Sequence, residues 1–188
     1  HDGMTLAILY FLFMGIGMSG IYVREFIPTF LSVIVANTFL MVGSLSLLLG
    51  VIKFFKRRIQ YLHTALFLFL YITAFIVFTY VSPNVSYRIF IYSFATMIVF
   101  IILLAFLITN EEEKNHKIDL FGFIVIVYLL VHFFRIIQVS LSSVNVSFFD
   151  YGNDAIFVIL LGIIGTLMMP GILSLMNNRY INELQIGD

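Results

Sequence analysis

Six runs of about twenty predominantly apolar residues follow one another along this chain, and that repetition constrains its fold more than any other feature. Inside a bilayer no water is available to the backbone, so each crossing segment must satisfy its own N–H and C=O groups, and a helix of roughly 20 residues does so. The runs fall at about residues 4–22, 29–52, 60–81, 89–109, 120–141 and 155–176. Between them stand short segments that carry the turn formers and charges: VREFIP, KFFKRRIQ, SPNVSYR, NEEEKNHKID and SSVNVSFFDYGND. The sequence therefore predicts an all-α polytopic bundle with six spans and no room for a soluble domain between them.

Composition closes off several classes of function. Hydrophobic residues make up 62% of the 188 and charged residues 11%, against roughly 45–50% and roughly 25% in soluble domains. Ten basic and ten acidic residues cancel, so no net positive field draws nucleic acid. Without cysteine there is no disulfide, thiolate metal site or cysteine nucleophile. The first run lacks the basic leader and small-residue cleavage site of a signal peptide, and the opening His1 reads as a point inside a longer chain.

Charge asymmetry sets an orientation. Lys53, Lys56, Arg57, Arg58, Lys114, Lys117 and Arg179 fall on one side, and Arg24 and Arg88 on the other. Because Lys and Arg are retained in the cytoplasm, both ends of the chain are expected there. With no Trp present, Tyr22, Tyr61, Tyr80, Tyr87, Tyr151 and Tyr180 take the interfacial positions near the segment ends.

The fifth run holds the most informative residues. His132 and Arg135 sit within it, and a charge in hydrocarbon costs at least ~2.5 kcal/mol. At 100° per residue Tyr128, His132, Arg135 and Gln138 share an arc of about 120°, a polar stripe that should face the bundle interior. Two readings stay open. Arg135 can snorkel outward to pair with Asp150 or Asp154, or it can grip the carboxylate or phosphate of a ligand in a pocket that also takes in Asn37. Asn37 and Thr38, mid-span in the second run, are polar residues of the kind that most often make interhelical hydrogen bonds.

Other motifs have plainer readings. Gly15–Gly20, GIGMSG, matches the spacing of a dinucleotide loop but lies inside an apolar helix, where small residues serve close packing. The same holds for Ser32/Ala36, Gly43/Leu47, Ser46/Gly50 and Gly162, Gly165 and Thr166. His63 and His132 differ in depth by roughly 13 Å at 1.5 Å per residue, too far to share one metal ion. No metal or other cofactor is expected. Asn84-Val-Ser86 and Asn145-Val-Ser147 are acceptor-type triplets too common to carry weight. Pro170-Gly171 permits a kink near the exit of the last span. Beyond it Leu173, Met176, Tyr180 and Leu184 keep heptad spacing, so residues 177–188 read as the start of a helix entering the cytoplasm, with a second copy as its partner.

The strings PTFLSVIVAN (28–37), GVIKFFKRR (50–58), FTYVSP (78–83) with Arg88, HFFR (132–135) and NNRYINEL (177–184) together resemble the multi-helix membrane sensor modules that precede GGDEF diguanylate cyclase domains, and sometimes histidine kinase domains, in bacteria. The likeness runs in order over most of the chain, although each string alone is largely apolar. It implies a sensor domain over residues 1–176 in a bacterial inner membrane, a seventh helix upstream of HDGM, and a homodimer. Through Pro170, Gly171 and the last helix, that sensor would pass a small-molecule or lipid signal to an output enzyme. No GGDEF or kinase motif occurs here, so the chain itself carries no catalytic assignment. The rival reading is a small transporter or channel with the same stripe along its path. An intramembrane enzyme is disfavoured, since the spans hold no Asp or Glu.

Overall fold

The computed structural model describes the backbone of residues 2–109, 120–141 and 152–186, and side chains over 3–109, 120–141 and 159–177. Among the described residues the chain is almost wholly helical, with short links and without strands. The helices are α1 (Asp2–Tyr22), α2 (Ala36–Phe54), α3 (Tyr61–Ile76), α4 (Val85–Thr109), α5 (Leu120–Leu141) and α6 (Gly152–Ile186). Wider π-wound turns extend two of them, Phe30–Val35 leading into α2 and Val77–Val81 leaving α3. With these extensions the described residues include six helices long and apolar enough to cross a membrane, with mean hydropathy from 1.9 to 2.7. It is an integral membrane protein of the all-α class.

Four of the six helices keep within two residues of the apolar runs, and α4 and α6 extend beyond theirs. α4 starts at Val85, four residues before the apolar run predicts, because Asn84 caps it. The Asn84 Oδ1 accepts the backbone N–H of Tyr87 at 3.0 Å and so satisfies one of the donors a helix start leaves bare. The cap winds Arg88 into the first turn of the helix. α6 runs unbroken for 35 residues through Pro170, past its apolar stretch at Ile159–Asn177 and on to Ile186.

The end of α2 shows how a helix stops without glycine. Lys56 takes a left-handed conformation with φ at 56°, while Lys56 N–H bonds the Lys53 carbonyl at 2.9 Å and Arg57 N–H bonds the Ile52 carbonyl at 3.1 Å. This is the paired closure that satisfies the last carbonyls of a helix. Phe55, turned inward just before it, is buried and packs edge-on against Phe106 of α4, ring centres 5.6 Å apart.

Five helices close a ring. α1 packs on α2, α2 on α4, α4 on α5 and α5 on α6. α6 then returns to α1, where a Cβ placed on Gly165 would lie 3.4 Å from the Tyr10 hydroxyl. α3 sits outside, against α2 and α4. Tyr10, Met41, Phe100, Phe121, Tyr128 and Met168 fill the centre with no exposed surface. Small residues set the α1–α2 distance. A Cβ on Gly3 would stand 2.7 Å from the Gly50 carbonyl oxygen, and one on Gly17 would stand 2.8 Å from the Ala36 carbonyl oxygen. The packing reading of the GIGMSG string thus applies to Gly17 and Gly20, whereas Gly15 faces open space.

Candidate functional site

The polar stripe of α5 turns inward. Tyr128, His132 and Arg135 are buried and Gln138 is half-buried, while Leu130, Phe133, Phe134, Ile137 and Leu141 are exposed on the opposite face. An arginine at 3% exposure within an apolar helix is there because the interior offers it something lipid does not. What it faces is a cavity of about 80 Å³ at the end of the bundle where α1, α3 and α5 finish and α2, α4 and α6 begin. A water needs roughly 10–15 Å³ of such space, so several water-sized groups fit.

Three arginines line it. Arg135 comes from α5, Arg88 from the first turn of α4, and Arg24 from the link after α1. Arg24 and Arg88 stand close enough to repel one another. Burial lowers the Arg24 guanidinium from its ordinary pKa, and the neighbouring Glu25 works against that shift. Asn37 and Tyr92 add polar groups, and Met18, Phe75 and Leu161 belong to the apolar wall.

The two π-wound turns shape this end. After Pro28, which has no N–H to donate, the chain enters α2 with Ala36 N–H reaching back five residues to the Leu31 carbonyl. Asn37 Nδ2 donates to the Val33 carbonyl at 2.7 Å. At the end of α3, Ser82 N–H likewise bonds the Val77 carbonyl five residues back, at 2.9 Å, and Thr79 Oγ1 donates to the Phe75 carbonyl at 2.6 Å. Val33, within the first of these turns, and Asn37 and Phe75, two residues from one or the other, line the cavity. Single π turns within helices frequently mark functional positions, since the added residue re-aims neighbouring side chains.

Of the residues singled out from sequence, Arg135 and Asn37 belong to the cavity wall. Tyr128 and His132 reach it through Tyr92. The His132 ring lies 4.8 Å from that of Tyr128 and 5.6 Å from that of Tyr92, edge-on in both cases. Neither His132 nitrogen has a hydrogen-bond partner among the described residues. Asp150 and the Asp154 side chain lie outside the described residues. Gly171 is a packing position, where a Cβ would meet Phe121 and Ile124 of α5 at 3.1 Å, and Pro170 is exposed. In the heptad series Met176 packs on the core of its own chain and Leu173 is exposed, while the side chains of Tyr180 and Leu184 fall outside the described residues.

Sequence reasoning passed over Arg24, Arg88 and Tyr92. The first two were legible only as loop charges on one side of the membrane. That they share a side with the Arg135 end of α5 is the available signal, together with Asn84, a cap-forming residue type placed to wind Arg88 into α4. Comparison with family models, with curated proteins and with solved structures finds no match for this chain.

Proposed function

We propose that the chain is a membrane-embedded sensory input module that binds a small-molecule or lipid ligand at the arginine-lined cavity and passes the signal along α6 to a cytoplasmic output enzyme, a diguanylate cyclase or histidine kinase. One observation carries this reading. Leu161 of α6 is part of the cavity wall, and the same helix continues without interruption to Ile186, beyond its apolar stretch. The 25 residues beyond Leu161, as far as Ile186, span roughly 38 Å at 1.5 Å per residue, so a shift at Leu161 has one continuous helix, with Pro170 as its internal kink point, along which to reach the far side. A ligand drives such a shift by its difference in affinity between two states. The asymmetry of Lys and Arg supports an orientation with the α6 exit in the cytoplasm of a bacterial inner membrane, and a dimer formed through that exit helix would couple two output domains.

The coding frame beyond Asp188 tests the proposal. A cyclase or kinase domain in frame with α6 supports it, and a stop codon there overturns it. Solute flux through vesicles containing the protein would also overturn it, in favour of transport.

A further inference from the structure

Three arginines from three separate elements line one small cavity, an unusual concentration of positive charge for a chain with no net charge. Arg24 and Arg88 repel, and Arg135 is nearly as buried as the core around it. An anion among them converts repulsion into charge-assisted hydrogen bonds, and the planar guanidinium fork matches oxyanions in two-point fashion. Much of the remaining wall is apolar, with Met18, Phe75 and Leu161 facing the same space. Such a surface gains from desolvating a hydrocarbon group rather than a bare inorganic ion. Asn37 and Tyr92 supply neutral polar groups for orientation.

We propose that this cavity binds a small organic oxyanion, a carboxylate or phosphate head on a short apolar body, presented either as a free acid or as the head group of a lipid in the adjoining leaflet. The inference rests on the sensor reading for its use, since it names the ligand class of that same site, but its test does not depend on signalling. An output domain without anion binding would remove the site and leave the sensor. Anion binding without an output domain would do the reverse.

The experiment places the purified protein in phosphatidylcholine nanodiscs and titrates hexanoate and hexyl phosphate by calorimetry, then repeats the titrations, and a thermal unfolding scan, with phosphatidylglycerol added. Saturable binding of either probe is expected, weakened about tenfold or more by Arg88→Gln or Arg135→Gln and unchanged by Arg57→Gln at the opposite end. Leu161→Phe keeps all three arginines and fills the cavity, so it should abolish binding in a protein that still folds, as judged by circular dichroism and gel filtration. Probe binding unaffected by phosphatidylglycerol assigns a free acid. Competition by phosphatidylglycerol, or a rise in its unfolding temperature that Arg88→Gln removes, assigns a lipid head group. The proposal is overturned if neither probe binds and phosphatidylglycerol leaves the unfolding temperature unchanged. It is equally overturned if binding survives intact in both Arg88→Gln and Leu161→Phe.

Discussion

Tyr71 of α3 donates its hydroxyl proton to the backbone carbonyl of Asn37 in α2 at 3.3 Å. The acceptor sits where α2 changes from π to α winding, two residues after the wide turn ends. α3 is the helix outside the ring, and this bond ties it to the cavity wall. Tyr71 itself is 4% exposed and packs against Phe75, which lines the cavity.

Replacing that hydroxyl isolates its contribution. Tyr71→Phe is expected to lower stability by about 0.5–1.5 kcal/mol, the usual net worth of one intramolecular hydrogen bond. Equilibrium unfolding in mixed micelles measures it. Asn37→Ala removes the Nδ2 contact to Val33 but keeps the carbonyl that Tyr71 uses, so the two losses should add; a double variant no worse than either single one would show that they are one interaction.

Glycines of α1 provide an internal comparison. Gly3→Ala sets a methyl group 2.7 Å from backbone atoms of Gly50 and Phe54, and Gly17→Ala sets one 2.8 Å from the Ala36 carbonyl oxygen. Backbone cannot rotate away as a side chain does, so α1 must withdraw from α2, at a cost of about 1–3 kcal/mol for overpacking. Gly15→Ala meets nothing within 4 Å. It should be neutral or raise stability by up to about 1 kcal/mol through better helix propensity. Equal losses at all three positions in the same micelle titration would contradict the α1–α2 seam.

Asn84 holds the start of α4. Asn84→Ala should cost about 1 kcal/mol as the cap to Tyr87 is lost, with Asn84→Asp or Asn84→Ser retaining most of it. Hydrogen exchange at the Tyr87 and Arg88 amides reads the fraying directly, and faster exchange confined to this turn is the expected pattern.

Lys56 offers a gain rather than a loss. A side chain at φ 56° costs roughly 1–2 kcal/mol in the left-handed region, part of which glycine recovers against its greater freedom when unfolded. Lys56→Gly should therefore raise stability by roughly 0.5–1 kcal/mol. Because the residue is exposed and its backbone bonds to Lys53 remain, packing does not confound the reading.

The sequence by itself determined the class of the protein and the placement of its spans. A bilayer demands about twenty apolar residues per crossing, and that demand is met locally, run by run, so no knowledge of neighbours is needed to see it. It also determined which face of α5 turns inward, because a charge in a period of 3.6 must avoid lipid. It could not show which helices touch, since lipid-facing and buried surfaces are equally apolar in these runs, and α3 outside a ring of five leaves no periodic trace. Tertiary structure alone decided that Arg24, Arg88 and Arg135 line one cavity. Residues 111 positions apart from first to last meet there through helix pairing, a cap at Asn84 and two π turns, each depending on backbone geometry that residue types merely permit.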